Sequence, residues 1–202
     1  MPAITSALHW TYVSFVIVLR TTIPYRNWRT RMIFNVRDLG APEVSIDAKI
    51  AFLSRPESYP ERPSHVDIVE THMSWVFLTD DYAYKLKKAV HREFLDFSTV
   101  ELRRRNSEQE VALNRRLAPN VYLGTVAITV APSGQLRLGG ESPAADWLVK
   151  MRRLPAERFL DRAIARGATS DSELHAAALL LADFYHSSPA VPMKREEYRR
   201  RL

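Results

Sequence analysis

Cysteine is absent from all 202 residues. That excludes a disulfide framework, a thiolate nucleophile and a cysteine-zinc site, and a chain without thiols suits the reducing cytoplasm expected for it. Six histidines occur, at 9, 65, 72, 91, 175 and 186. None has His-Glu-x-x-His spacing, and there is no Gly-x-Ser-x-Gly elbow, so metalloprotease and serine-hydrolase chemistry have no footing. Internal repeats and low-complexity blocks are missing too. The apolar run at residues 7–19 is shorter than the roughly 20 residues a membrane-spanning helix needs. No Lys or Arg precedes it, so it does not fit a signal peptide either, and membrane contact through it is not expected.

What is present describes an ordinary globular protein, 46% hydrophobic and 26% charged, with room for one or two domains. The net charge of +6 favours anionic partners, which include nucleotides and phosphates as well as nucleic acid. The arginine clusters at 103–105, 115–116 and 199–201 lie on different elements without interleaved exposed aromatics. They read as solvated helix faces, not a strong nucleic-acid signal. Residues 1–43 read as a poorly ordered or apolar extension. Met32 is an alternative initiator that N-terminal sequencing would test.

The chain is organised around residues 74–88, which read as two short strands joined at Thr79-Asp80-Asp81. Strand alternation puts Ala83, Lys85 and Lys87 on one face and Tyr82, Tyr84 and Leu86 on the other. A small residue two positions before a lysine leaves room for a flat ligand while the ammonium reaches that ligand's phosphates. The plainer reading is an edge-strand lysine that discourages aggregation.

Around this pair, residues 44–64 read as a helix (47–53) and a proline-rich connector, and residues 65–71 as a strand. After a loop at 89–97, a long helix is expected over 99–117, capped by Ser98 or Asp96. Its core stripe would be Leu102, Asn106, Glu110, Leu113 and Leu117, so Glu110 would need a buried partner, and Lys85 is the candidate. An outward-leaning glutamate is the alternative. Residues 121–130 and 135–138 read as a hairpin and 145–151 as a strand. Two helices follow, at 157–166 and from a Ser170 or Asp171 cap to about His186. Residues 190–202 form a charged tail.

This order, together with the blocks at 49–56, 70–72, 74–78, 84–85, 94–98, 113–119 and 149–153, resembles the aminoglycoside-phosphotransferase-like kinases. The likeness is strongest to a bacterial subgroup in which such a region precedes a P-loop ATP-binding domain. The resemblance implies an α+β fold: a kinase-like small lobe at 65–154, with about five antiparallel strands and one long helix, then the helical start of a large lobe at 155–189. It implies that ATP, with Mg2+, is gripped by Lys85, with Lys87 as the fallback. Glu110 would pair with that lysine, Ala83 would give the base room, and the turn at Thr71-His72-Met73 would lie over the phosphates. Met151, Arg152 and Arg153 would present backbone to the adenine.

Two departures stand out. The Thr71-His72-Met73 turn has no glycine for close backbone approach. The family's His-x-Asp-x-x-x-x-Asn loop and second aspartate, which orient the acceptor hydroxyl and hold magnesium, have no match in these residues. The expectation is therefore the ATP-binding portion of a small-molecule phosphotransferase, truncated and catalytically incomplete, whose acceptor is unknown and whose large lobe and P-loop domain are missing. A non-catalytic module engaging a protein partner is the first alternative, and a basic nucleic-acid-binding protein the second.

Overall fold

The computed structural model describes residues 43–92 and 95–189; the 7–19 run, Met32 and the charged tail lie outside them. The described residues divide into two compact units, one of residues 43–115 and 119–153, the other of 116–118 and 154–189. The first is α+β. Helix α1 (Ile46–Leu53) starts where the Ser45 side chain accepts a bond from the Ala48 amide, satisfying one of the unpaired donors of a helix start. A 3-10 turn follows at Pro56–Ser58, as the proline-rich connector requires.

Strands β1 (Asp67–Glu70), β2 (Ser74–Leu78), β3 (Tyr82–Lys87), β6 (Tyr122–Val130), β7 (Leu136–Leu138) and β8 (Ala144–Arg152) form one antiparallel sheet. Its order is β1-β2-β3-β8-β6-β7. The resemblance implies about five strands, and the sheet has six. The hairpin read at 121–130 and 135–138 is present as β6 and β7, joined across the Ala131–Gly134 turn, where Gly134 takes a φ of 82° that a side chain would disfavour. The span read as a loop at 89–97 also holds a two-stranded ribbon, β4 (His91–Arg92) with β5 (Leu95–Asp96). Strands of two residues carry no readable alternation, which is why the sequence reads as loop.

The core lies on the α1 side of the sheet. Phe52 and Leu53 of α1, with Tyr59 beyond it, pack on Phe77, Tyr84, Leu86, Ile128 and Leu148. The opposite face carries helix α2 (Val100–Arg115), which packs on β6 and β8. Its cap is Thr99, whose hydroxyl accepts from the Leu102 amide at 3.2 Å. Asp96 serves Ser98 instead, so neither expected cap holds.

The buried row of α2 also differs from the expected stripe. Arg103, Ser107 and Val111 are buried and Leu113 is 47% exposed. Asp146 explains the rotation. This carboxylate lies within the sheet core and takes Arg103 Nε at 2.8 Å, Arg103 Nη2 at 2.9 Å and Lys49 Nζ at 2.7 Å. Arg103 Nη1 donates to the Phe97 carbonyl at 2.8 Å. A buried charge must be paired, and Asp146 turns α2 to supply its partner. Arg103 is therefore not on a solvated helix face.

In the second unit a 3-10 turn (Ala156–Arg158) precedes α3 (Leu160–Ala165) and α4 (Asp171–Ser187). The helix expected from 157 thus starts three residues later; it closes at Gly167, with φ 64°. Ser170 caps α4 through a reciprocal capping box with Glu173.

Candidate functional site

The register of the sheet builds the site on the face away from α1. Directly paired residues share a face. One cross-strand row is Val76, Lys85, Val149 and Thr125. The next row is Leu78, Ala83, Met151 and Tyr122. Rows two residues apart along a strand are about 7 Å from one another. Leu78, Ala83 and Met151 thus make a narrow apolar floor beside the Lys85 side chain. Ala83 and Val149 are buried, while Val76, Leu78 and Met151 are half-buried.

Lys85 Nζ donates to Glu110 Oε1 at 2.9 Å, and Lys87 Nζ donates to the other oxygen, Oε2. Glu110 does turn into the protein, with its side chain 7% exposed. The two lysines are not equivalent: the side chain of Lys85 is 25% exposed and that of Lys87 is 3% exposed. Lys87 also lies over the Phe97 ring, 5.2 Å from its centroid.

The trio carries two positive charges and one negative. Burial disfavours the Glu110 carboxylate, but Lys87 and Lys85 outweigh it and hold the carboxyl below its usual range. Burial lowers Lys87, against the pull of Glu110 and with the push of Lys85. The two shifts are compatible: the carboxylate stays ionised between two ammonium groups, and burial is what opposes charge on the deeper one. Glu110 in turn helps burial raise the Tyr122 hydroxyl well above the ordinary tyrosine range.

The remaining predicted residues fall at two other places. His72 is exposed in the turn between β1 and β2. That turn lies at the Lys87 end of β3, since Ser74 pairs with Lys87 and the Lys88 amide donates to the Met73 carbonyl at 2.9 Å. Arg152 and Arg153 lie at the other end, past Met151. Their amides are already committed, to the Val121 carbonyl at 2.9 Å and the Asp81 carbonyl at 2.8 Å. The Arg153 guanidinium bonds the Thr79 carbonyl at 2.8 Å. Arg152 is exposed.

Val76, Leu78, Val149, Tyr122 and Phe97 were not singled out in the sequence. Only strand register identifies the first four, and register is invisible until the pairing of β3 with β8 and of β8 with β6 is known. On the sheet's other face Glu61 accepts from the Tyr84 hydroxyl at 2.9 Å and from Lys150, which lies 4.0 Å from the Tyr82 ring centroid. That group is internally matched. A second polar group joins Ser64, His65, Asp67 and Asp80: the Ser64 hydroxyl donates to Asp80 at 2.9 Å and lies 3.0 Å from His65 Nδ1, and the His65 side chain is 59% exposed. Among the described residues no three His, Asp or Glu side chains are placed to hold a metal ion, and no helix is long and apolar enough to cross a membrane.

No family model matches the chain, and no solved structure matches it. Curated relatives do. Uncharacterized proteins of Mycobacterium tuberculosis and Mycobacterium bovis are each 38% identical to it over 120 residues, 59% of this chain. The match covers 22% of each relative, so the chain spans about a fifth of the length of these curated relatives.

Proposed function

We propose that this chain is the ATP-binding portion of a bacterial, cytoplasmic, kinase-like phosphotransferase acting on a small molecule. One observation carries the reading: a strand lysine with its side chain 25% exposed, Lys85, bonded to a buried helix glutamate, Glu110, beside an apolar floor centred on Ala83. A strand lysine held by a helix glutamate is how kinases present an ammonium to ATP phosphates, and a small floor residue admits a purine. The base would lie on Leu78, Ala83 and Met151, with its phosphates toward Lys85 and the turn bearing His72. Because the amides of Arg152 and Arg153 are taken, the adenine edge would bond carbonyl oxygens there. Mg2+ would arrive with the nucleotide.

Isothermal titration with Mg-ATP tests this. We expect saturable binding that Lys85→Met weakens at least tenfold, about 1.4 kcal/mol. Binding absent at millimolar nucleotide, or indifferent to Lys85→Met, overturns the reading. With no His-x-Asp-x-x-x-x-Asn loop in its sequence, the chain by itself should not transfer phosphate. Robust Mg-ATP-dependent transfer lost in Lys85→Ala would show the opposite.

A protein-binding module is the second reading. The exposed Leu174, Leu179 and Tyr185 of α4 favour it. Nucleic-acid binding is disfavoured, because Arg103 and Arg115 are spent on internal acceptors and Arg104 and Arg105 pair with glutamates on their own helix.

A further inference from the structure

We infer that the open edge of β1 is a docking strand for an extended peptide segment of another protein, one that pairs antiparallel and reads basic-apolar-apolar-basic. The inference is independent of the nucleotide reading, since it uses the edge of the sheet and not the β3 lysines.

Strand β1 ends the order of the sheet, and among the described residues no strand pairs with its outer side. The direction of its backbone groups follows from the register. The Thr71 amide donates to the Ser74 carbonyl at 2.8 Å, and bonded and non-bonded pairs alternate along an antiparallel ladder. Val69–Val76 and Asp67–Leu78 are therefore the bonded pairs. The N–H and C=O groups of Ile68 and Glu70 then point away from β2. Two donors and two acceptors face outward, the pattern that strand addition uses.

The side chains agree. Every residue of β1 is exposed, Ile68 at 41% and Val69 at 45%. Ile68 shares a face with Phe77, and Val69 shares the opposite face with Val76. Each face of the edge thus carries one uncovered apolar side chain. Asp67 and Glu70 flank them. Arg153 and His65 both lie on Asp67 Oδ2, and Lys88 lies on Glu70 Oε1. The two carboxylates nevertheless stay 51% and 52% exposed, with one oxygen of each left for a further cation.

Charge decides the occupant. If a second copy paired antiparallel along the full strand, the outward groups would set Ile68 opposite Glu70 of the other copy. The two Glu70 side chains would then be diagonal neighbours on one face, and no carboxylate would meet a cation. A segment with Lys or Arg opposite Glu70 and Asp67, and Val, Ile or Leu opposite Val69 and Ile68, matches all four positions. The carboxylates that keep a like edge away thus select a basic one.

Fluorescence anisotropy with the full chain and a labelled peptide, Thr-Arg-Val-Ile-Arg-Thr, tests this. Saturable binding is expected, and the same peptide with Glu in place of Arg should bind about tenfold or more weakly. Ile68→Pro removes one outward N–H and leaves the bonds between β1 and β2 in place. It should weaken the Arg peptide by about tenfold. The double change Asp67→Lys, Glu70→Lys should reverse the preference in favour of the Glu peptide, and it carries the test should the proline variant fail to fold. No saturable binding by the wild type, or equal binding of the two peptides, overturns the inference. So does binding that a folded Ile68→Pro leaves unchanged. A concentration-dependent dimer in light scattering, lost in Ile68→Pro, would give the edge to a second copy and overturn it as well.

Discussion

Glu110 holds two ammonium groups that would otherwise repel each other across one face of β3. Removing its charge in Glu110→Gln leaves Lys87 buried without a counter-ion, a change that costs about 3–5 kcal/mol when a buried pair is broken from one side. Urea unfolding at pH 7 should show a loss of that order, with the m-value unchanged. The pH dependence has a definite sign. The folded carboxyl titrates below its unfolded value, so its contribution is complete above the ordinary glutamate range, about pH 4.3. It is lost as pH falls from there through the folded value. Stability of the wild type should therefore drop more steeply between about pH 5 and pH 3 than that of Glu110→Gln. Equal slopes would mean the two lysines do not hold Glu110 in solution. At this scale the sequence was informative, because a period of two placed Lys85 and Lys87 together and a period near 3.6 turned Glu110 inward. What it left open was which lysine is reachable. That depends on Phe97, which comes from outside the strand and helix that carry the trio.

Helix α2 is fixed at intervals along its length by partners far away in sequence. Arg103 is tied to Asp146, 43 residues on, Glu110 to β3, and Arg115 Nε to the Tyr122 carbonyl at 2.7 Å. The first tie also draws in α1, since Lys49 and Asp146 are bonded across 97 residues. Of these ties only that of Glu110 to β3 was legible in the chain. Arg103 sits in a run of three arginines that looks solvated, and Asp146 precedes an apolar strand without any local partner. The buried face of α2 was affected in the same way: the Arg103–Asp146 tie rotates α2 away from the stripe that leucines alone would choose. Asp146→Asn should destabilise the first unit by about 3–5 kcal/mol, because two buried cations lose their carboxylate. The combined change Lys49→Met, Arg103→Met, Asp146→Leu should recover most or all of that in the same urea titration. Failure to recover would show that the ion cluster, not merely its neutrality, shapes this packing. Helix α4 is the contrasting element. It has 17 residues and none of them is buried, so it depends on local terms such as the Ser170 capping box. Its amides should exchange with solvent much faster than those of α2 and β8. Ser170→Ala, worth about 1 kcal/mol at a helix start, should speed exchange in α4 and leave β8 unaffected.

Across the whole molecule the net charge of +6 complicates any claim about a phosphate site, because a basic protein draws polyanions without a built pocket. Screening separates the two. Loosely held anions on an exposed surface are shed as the Debye length shortens from about 10 Å at 0.1 M salt to about 3 Å at 1 M. A partly buried contact such as Lys85 within the Glu110 trio is screened less. Ligand linkage makes this measurable without an assay for turnover. Nucleotide at 100 times its dissociation constant stabilises the folded state by about 2.7 kcal/mol. For a chain of this size that is a rise of about 5–10 °C in Tm, taking 2–4 °C per kcal/mol. The rise should persist largely intact in 0.5 M NaCl, and at the same nucleotide concentration it should fall to about half or less in Lys85→Met while remaining in Arg152→Ala. A shift that disappears in salt and ignores Lys85 would assign ATP to diffuse surface charge. A shift that survives salt but ignores Lys85 would place the nucleotide elsewhere in the fold. Only salt resistance together with dependence on Lys85 fits a nucleotide held at the β3–α2 ion pair.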